Sequence, residues 1–181
     1  MSLIRRTAEL LSRNRVIKRH VYAAGQRAPI LVSPDAQLKY LKLGRDSFDR
    51  DLIKIAEVMT VDDEFVWDIG ANVGVFSVAA LTTNPNCRVL AIEADPWLVD
   101  VLVRTGEFDQ YIDREFLILP AAASSENGLA EFLIASRGRA SNSLAEFGGR
   151  SQMGGKAQTA CAHTQSRLYL RKIGGSAIHE N

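Results

Sequence analysis

Two carboxylates and two glycines stand at spacings that suit ligand chemistry. The stretch Phe65-Val66-Trp67-Asp68-Ile69-Gly70-Ala71-Asn72-Val73-Gly74-Val75-Phe76 starts as a short apolar run and breaks at Asp68. It passes through Gly70 and Gly74 into an apolar helical pattern of Val75, Phe76, Val78, Ala79, Ala80 and Leu81. Strand, glycine turn and helix N-terminus together predict a place where backbone N–H groups converge and a ligand approaches the main chain closely. A dinucleotide-binding turn needs G-x-G-x-x-G, but Asn72 and Val75 occupy its second and third glycine positions here. The pattern is instead D-x-G-x-x-x-G, with a carboxylate at the strand's end. A second run, Arg88-Val89-Leu90-Ala91-Ile92, ends in Glu93, at the distance of one β-α-β unit of about 30 residues. An acidic side chain there suits the two hydroxyls of an adenosine ribose.

The elements that position these groups follow from the same kind of pattern. Residues 2–20 are predicted as a basic amphipathic helix. Leu3, Leu10 and Ile17 recur at sevens, with Ile4, Thr7, Leu11 and Val21 beside them and arginines opposite. This helix is expected to pack on its own domain or on a partner rather than on anionic lipid. Residues 29–32 and 37–42 read as strands, the second from the alternation of Leu38 and Tyr40. Residues 49–59 read as a helix, with Leu52, Ile55, Ala56 and Met59 on one face and Asp49 and Asp51 in its first turn.

The helix after Gly74 should stop near Asn84-Pro85-Asn86, since proline cannot continue it. Asp95-Pro96 opens a third helix over residues 97–108, with Leu98, Val101, Leu102 and Thr105 as its packed face. Residues 116–119 make a third strand, and 129–135 another after the Asn127-Gly128 turn. Beyond Phe147, four glycines (Gly148, Gly149, Gly154 and Gly155) mark a loop, and Leu168-Tyr169-Leu170 is the compact apolar cluster that remains. The chain thus divides into an N-terminal helix at 1–25, a core at 26–147 and an atypical tail at 148–181.

The residues Asp68-Ile69-Gly70-Ala71-Asn72-Val73-Gly74 match the DxGANxG motif of a known group, so the chain resembles the class I S-adenosylmethionine-dependent methyltransferases of the FkbM type. Ala91-Ile92-Glu93-Ala94-Asp95-Pro96 matches the family's xFEPxP, with Ala94 where a proline is usual, and Leu119-Pro120-Ala121-Ala122-Ala123-Ser124 matches a third, weaker piece. Together they cover about residues 30–145. The resemblance implies an α/β, Rossmann-like class I methyltransferase fold with an N-terminal helix and hairpin, and S-adenosyl-L-methionine as cofactor. In that reading Asp68 orients the cofactor's amino group, Gly70 and Gly74 permit close backbone approach, and Ala71 and Asn72 shape the turn. Glu93 holds the ribose, and the backbone around Ala122 meets the adenine. A hairpin and helix before the opening strand would help to close the pocket, where Tyr40 and Phe48 could serve as lining or as core.

Blander roles stay open for each residue. Asp68 could cap the turn, Gly70 and Gly74 could serve positive φ or packing, and Glu93 could be a solvated strand end. The family's fourth central strand, with its Lys-Ile-Asp-x-Glu-Gly, is missing after residue 147, so the fold is expected to be incomplete, with the reading frame lost near residues 160–165. Loss of that strand would leave an apolar sheet edge through which copies could associate. Ser141-Asn142-Ser143 resembles a serine-rich piece of the family but reads as a loop. His163 falls in the atypical tail, and no catalytic base is assigned.

Composition narrows the classes further. With 181 residues, the chain suits one domain with a real core. No apolar run approaches the roughly 20 residues of a membrane span, and the basic N-terminus lacks the apolar region of a secretory signal, so a cytoplasmic location is expected. Cys87 and Cys161 are isolated thiols, and His20, His163 and His179 are scattered, so neither a disulfide nor a metal site is expected. Residues 21–136 carry 9 basic and 18 acidic groups between two basic ends, which disfavours nucleic acid as partner, because phosphate neutralisation needs a clustered basic surface. A small-molecule or glycan hydroxyl is the expected acceptor by resemblance. A non-catalytic remnant keeping only the cofactor half is the alternative, with an NAD(P) oxidoreductase behind it.

Overall fold

The computed structural model describes residues 14–42, 44, 47–61 and 65–123, together with the backbone of three strands at 128–134, 143–144 and 157–164. The first element is a hairpin of β1 (Ile17–Ala23) and β2 (Gln26–Val32), paired antiparallel from Ile17↔Val32 to Ala23↔Gln26. Its two-residue turn has φ +48 at Ala24 and +74 at Gly25, the pair of positive φ values that a type I′ hairpin turn requires. The expected N-terminal helix is therefore corrected at its C-terminal part, since residues 17–23 are strand. Ile17, Arg19, Val21 and Ala23 alternate as well as they fit a helical stripe, and Val21 and Ala23 are buried. Residues 1–13, the rest of that helix, lie outside the described residues.

The strand expected at 37–42 is also corrected. Leu38–Leu41 is a single 3-10 turn. The carbonyl of Ser33 accepts from the amides of Ala36 and Gln37, which closes the chain into turns before it can extend. Tyr40 is buried there, its ring centroid 5.6 Å from that of Phe48. Both residues belong to the core, which fits the packing role rather than the ligand role.

Helix α1 (Arg50–Met59) starts where expected, because the Asp49 side chain accepts from the amides of Asp51 and Leu52. Its packed face is different: Ile53 and Ala56 are buried, while Leu52, Ile55 and Met59 are exposed. The helix touches α2 (Val75–Thr83) and β1 along a narrow strip, which leaves the neighbouring apolar stripe uncovered among the described residues.

The centre is a parallel sheet, in the order β3 (Phe65–Ile69), β4 (Arg88–Glu93), β5 (Phe116–Pro120), with α2 and α3 (Pro96–Gly106) as the crossover helices. The register places Asp68 beside Ala91 and Ala91 beside Ile118. Helix α2 is buried on every side because it is apolar almost throughout and lies between the sheet and the hairpin. The hairpin is tied to the helix layer by Leu31 N–H donating to Thr105 Oγ1 at 3.1 Å and by the Tyr111 hydroxyl donating to the Pro29 carbonyl at 2.8 Å. In α3 the four residues expected to pack, Leu98, Val101, Leu102 and Thr105, are all buried. The arrangement is mixed α/β, a three-stranded parallel sheet flanked by helices, and is compatible with a Rossmann-like fold.

Asp68 faces α2, so Phe65, Trp67 and Ile69 face the opposite side of the sheet. There Phe65, Trp67 and Leu119 pack partly buried around Leu90 and Ile92, and Ile69 is 53% exposed. Among the described residues β3 has β4 as its single neighbour. A second sheet of four strands, ordered β6 (Ala122–Ala123), β9 (Ala157–Thr164), β7 (Gly128–Ile134), β8 (Ser143–Leu144), follows β5. Its β9 spans the stretch where the reading frame was expected to be lost. The glycine loop at 148–155 and the cluster at 168–170 lie outside the described residues. No helix among the described residues is long and apolar enough to cross a membrane.

Candidate functional site

Asp68, the 70–74 turn and Glu93 come together at the carboxyl ends of β3 and β4, the edge where ligands bind in open parallel α/β sheets. The sheet itself makes the turn. Parallel pairing carries Ile69 beside Ile92, and the Ile92 carbonyl then accepts from both Gly70 N–H (2.8 Å) and Ala71 N–H (3.0 Å). The next amide, Asn72 N–H, donates to Glu93 Oε2 at 2.8 Å. Val73 N–H donates to Asn72 Oδ1 at 2.8 Å, and Gly74 N–H to the Ala71 carbonyl at 2.8 Å. The five amides of residues 70–74 are thus each satisfied inside the protein. Over residues 70–74 the turn therefore offers a phosphate no free N–H cradle.

The glycines divide their roles. At Gly70 φ is +75 and an added Cβ would meet nothing within 4 Å, so conformation alone demands glycine and the space before it is open. At Gly74 φ is +85 and a Cβ would lie 2.6 Å from Leu102 Cδ2. Its missing side chain therefore makes room for α3. Asn72 takes φ +55, a left-handed position that its short polar side chain supports through the bond to Val73.

Glu93 is buried, which removes the solvated strand end as its role. Its second oxygen, Oε1, accepts from Asp95 N–H at 2.8 Å, and the Asp95 side chain in turn caps α3 at Trp97 N–H. Burial pushes the Glu93 carboxyl above its ordinary value; the amides of Asp95, Asn72 and Ala94 pull it down and the Asp95 charge pushes it up again. Asp68 is half-buried, and its Oδ2 accepts from Ser77 Oγ at 2.6 Å and Ser77 N–H at 3.1 Å. Burial raises its carboxyl too, against the opposing effect of the Ser77 hydrogen bonds. Asp68 does act as a cap, as its bland role required, but on α2 and through one oxygen. Its Oδ1 makes no hydrogen bond among the described residues.

Ala122 lies two residues beyond Pro120, the register partner of Glu93, so it stands at the same end of the sheet. It is paired in register with His163. Ser124 and residues 141–142 lie outside the described residues. Sequence reasoning missed Ser77. A serine three residues past Gly74 and nine past Asp68 was the available signal, since a polar side chain in an otherwise apolar helix start needs a buried partner.

No protein-family model matches the chain, and no curated protein matches it with significance.

Proposed function

We propose that the chain is an S-adenosyl-L-methionine-dependent methyltransferase of the FkbM type, acting on a hydroxyl of a sugar, glycan or other small metabolite in the cytoplasm. The observation that carries this reading is the chemistry of the two strand ends. A buried carboxylate, Glu93, and a half-buried one, Asp68, stand beside a turn whose amides at residues 70–74 are all occupied. Such a site favours a cation and disfavours a pyrophosphate, which needs free N–H donors and no facing carboxylates. An NAD(P) oxidoreductase is the weaker reading for that reason.

The residues present fit the cofactor. Asp68 Oδ1 is the acceptor for its ammonium group. Glu93 Oε2 accepts from Asn72 N–H and Oε1 from Asp95 N–H, and a carboxylate has about four acceptor positions, so capacity remains for a ribose diol. The open space at Gly70 lets the ligand lie against the main chain, and the strand end at Ala122 borders the adenine. When bound, S-adenosyl-L-methionine supplies a methyl group already activated on a sulfonium. The protein's task is then to hold an acceptor oxygen in line at about 3 Å and to exclude water. The order β3-β4-β5 supports the first half of the class I fold.

A second reading is a remnant that binds the cofactor without turnover. It is favoured by the edge of β3 that is open among the described residues and by the half-covered sheet face at Trp67 and Ile69, where an acceptor half would stand. Incubating the chain with isotopically methyl-labelled cofactor and a panel of hydroxylated sugars and metabolites separates the two. Label in a product supports the enzyme; cofactor binding with no transfer to any acceptor supports the remnant.

A further inference from the structure

A hydroxyl side chain inside a helix ordinarily turns back onto the carbonyl four residues earlier. Two of the three in α2 do so: Thr82 Oγ1 donates to the Val78 carbonyl at 2.6 Å and Thr83 Oγ1 to the Ala79 carbonyl at 2.9 Å. Ser77 does not. It is fully buried, and both its hydroxyl and its amide point across to one oxygen of Asp68, nine residues earlier on β3. The helix start explains part of this. Its N-cap is Gly74, which has no side chain to satisfy the third amide of the helix, so Asp68 takes the cap's place from the neighbouring strand. The amide alone would suffice for capping. The hydroxyl adds a second, shorter bond to the same oxygen, which fixes the rotation of the carboxylate and leaves Oδ1 directed elsewhere.

We propose that Ser77 is a positioning residue of the ligand site, holding Oδ2 of Asp68 so that Oδ1 is presented to the ammonium group of a nucleoside that carries an amino acid through sulfur at its 5′ carbon. This rests on the adenosyl reading of the site. The sequence between Gly70 and Thr83 contains no ionisable side chain, and Ala91 is the register neighbour of Asp68 on β4, with Glu93 two residues beyond. The serine is thus the polar side chain that α2 directs at Asp68. Charge-assisted hydrogen bonds of this kind are the stronger ones, and they oppose the upward push that burial exerts on the Asp68 carboxyl.

The test compares two ligands that differ in the amino-acid moiety. S-adenosyl-L-homocysteine carries the ammonium group; 5′-methylthioadenosine has the same adenosine and lacks it. Binding of both to the full chain is measured by calorimetry for the wild type, Ser77→Ala, Ser77→Cys and Ser77→Thr. Ser77→Ala should weaken S-adenosyl-L-homocysteine about tenfold and leave 5′-methylthioadenosine within about twofold. Ser77→Cys keeps the shape with a weaker donor, so it should show the same selective loss with packing preserved. Ser77→Thr retains the hydroxyl and should restore the ratio. Equal weakening of both ligands in Ala and Cys, or no weakening of either, overturns the positioning role while the adenosyl reading stands. A wild type that binds neither ligand overturns that reading itself, and the proposal with it.

Discussion

Glu93 Oε2 accepts the amide of Asn72 at 2.8 Å, and this one bond joins the end of β4 to the left-handed corner of the turn after β3. The same carboxylate holds Asp95 N–H through its other oxygen, so it ties together the starts of two crossovers. Truncation would strand the buried Asp95 amide and the partly buried Asn72 amide. Glu93→Ala is expected to lower stability by about 1–3 kcal/mol, read from urea denaturation, and to weaken adenosyl binding by a similar amount. Glu93→Gln keeps one acceptor and should lose less. Equal stability of the Ala variant and the wild type would remove the clasp.

Gly70 and Gly74 should respond differently to the same added methyl group. Gly70→Ala meets only the backbone penalty of a left-handed residue, about 1–2 kcal/mol. Gly74→Ala carries that penalty and also drives a Cβ to 2.6 Å from Leu102 Cδ2. Its loss should therefore be larger, and Leu102→Ala should recover part of it while recovering nothing in Gly70→Ala. A double-mutant cycle of unfolding free energies measures this coupling. Zero coupling at both glycines would contradict the packing role given to Gly74.

The two site carboxyls make stability and binding run in opposite directions with pH. Both are raised in the folded chain, burial being the leading cause. Over the window between the ordinary carboxylate range and the raised values, the folded state holds more protons than the unfolded one, so stability falls as pH rises. The ligand-free melting temperature should drop across that window, and the drop should flatten in Asp68→Asn combined with Glu93→Gln. Affinity for a cationic adenosyl ligand should rise over the same window, as the carboxylates ionise. Parallel rather than opposed trends would sink the assignment of these groups to a cation.

Much of the ligand turn was legible because each signal there has one physical meaning. Gly70 and Gly74 announce positive φ, Asp95-Pro96 announces a capped helix start, and the short apolar runs at 65–69 and 88–92 fit buried parallel strands. The hairpin was hidden because Ala24 stands at a turn position where asparagine or glycine is the usual sign, and its φ of +48 is set by tertiary context, with its amide on Glu57 Oε1 at 2.7 Å. The packed face of α1 was misread because Ile53 and Ile55 are equally apolar, and only the neighbours decide which is buried. The occupied amides of the turn could not be read at all, since they depend on register: Ile92 and Glu93 reach them only once β4 lies beside β3.

The edge of β3 that is unpaired among the described residues and the exposure of Ile69 predict association of the chain. Sedimentation velocity should show species larger than a monomer that grow with concentration, and Ile69→Lys should shift the distribution toward monomer. A wild type that stays monomeric over the whole range would mean that this edge is covered.

The most direct measurement is a side-by-side calorimetric titration of the full chain with S-adenosyl-L-methionine, S-adenosyl-L-homocysteine and NADH. The occupied turn amides and the two site carboxylates predict saturable heat with both adenosyl ligands and none with NADH, and loss of that heat in Asp68→Ala with Glu93→Ala. Binding of NADH without either adenosyl ligand would contradict the assignment of the site.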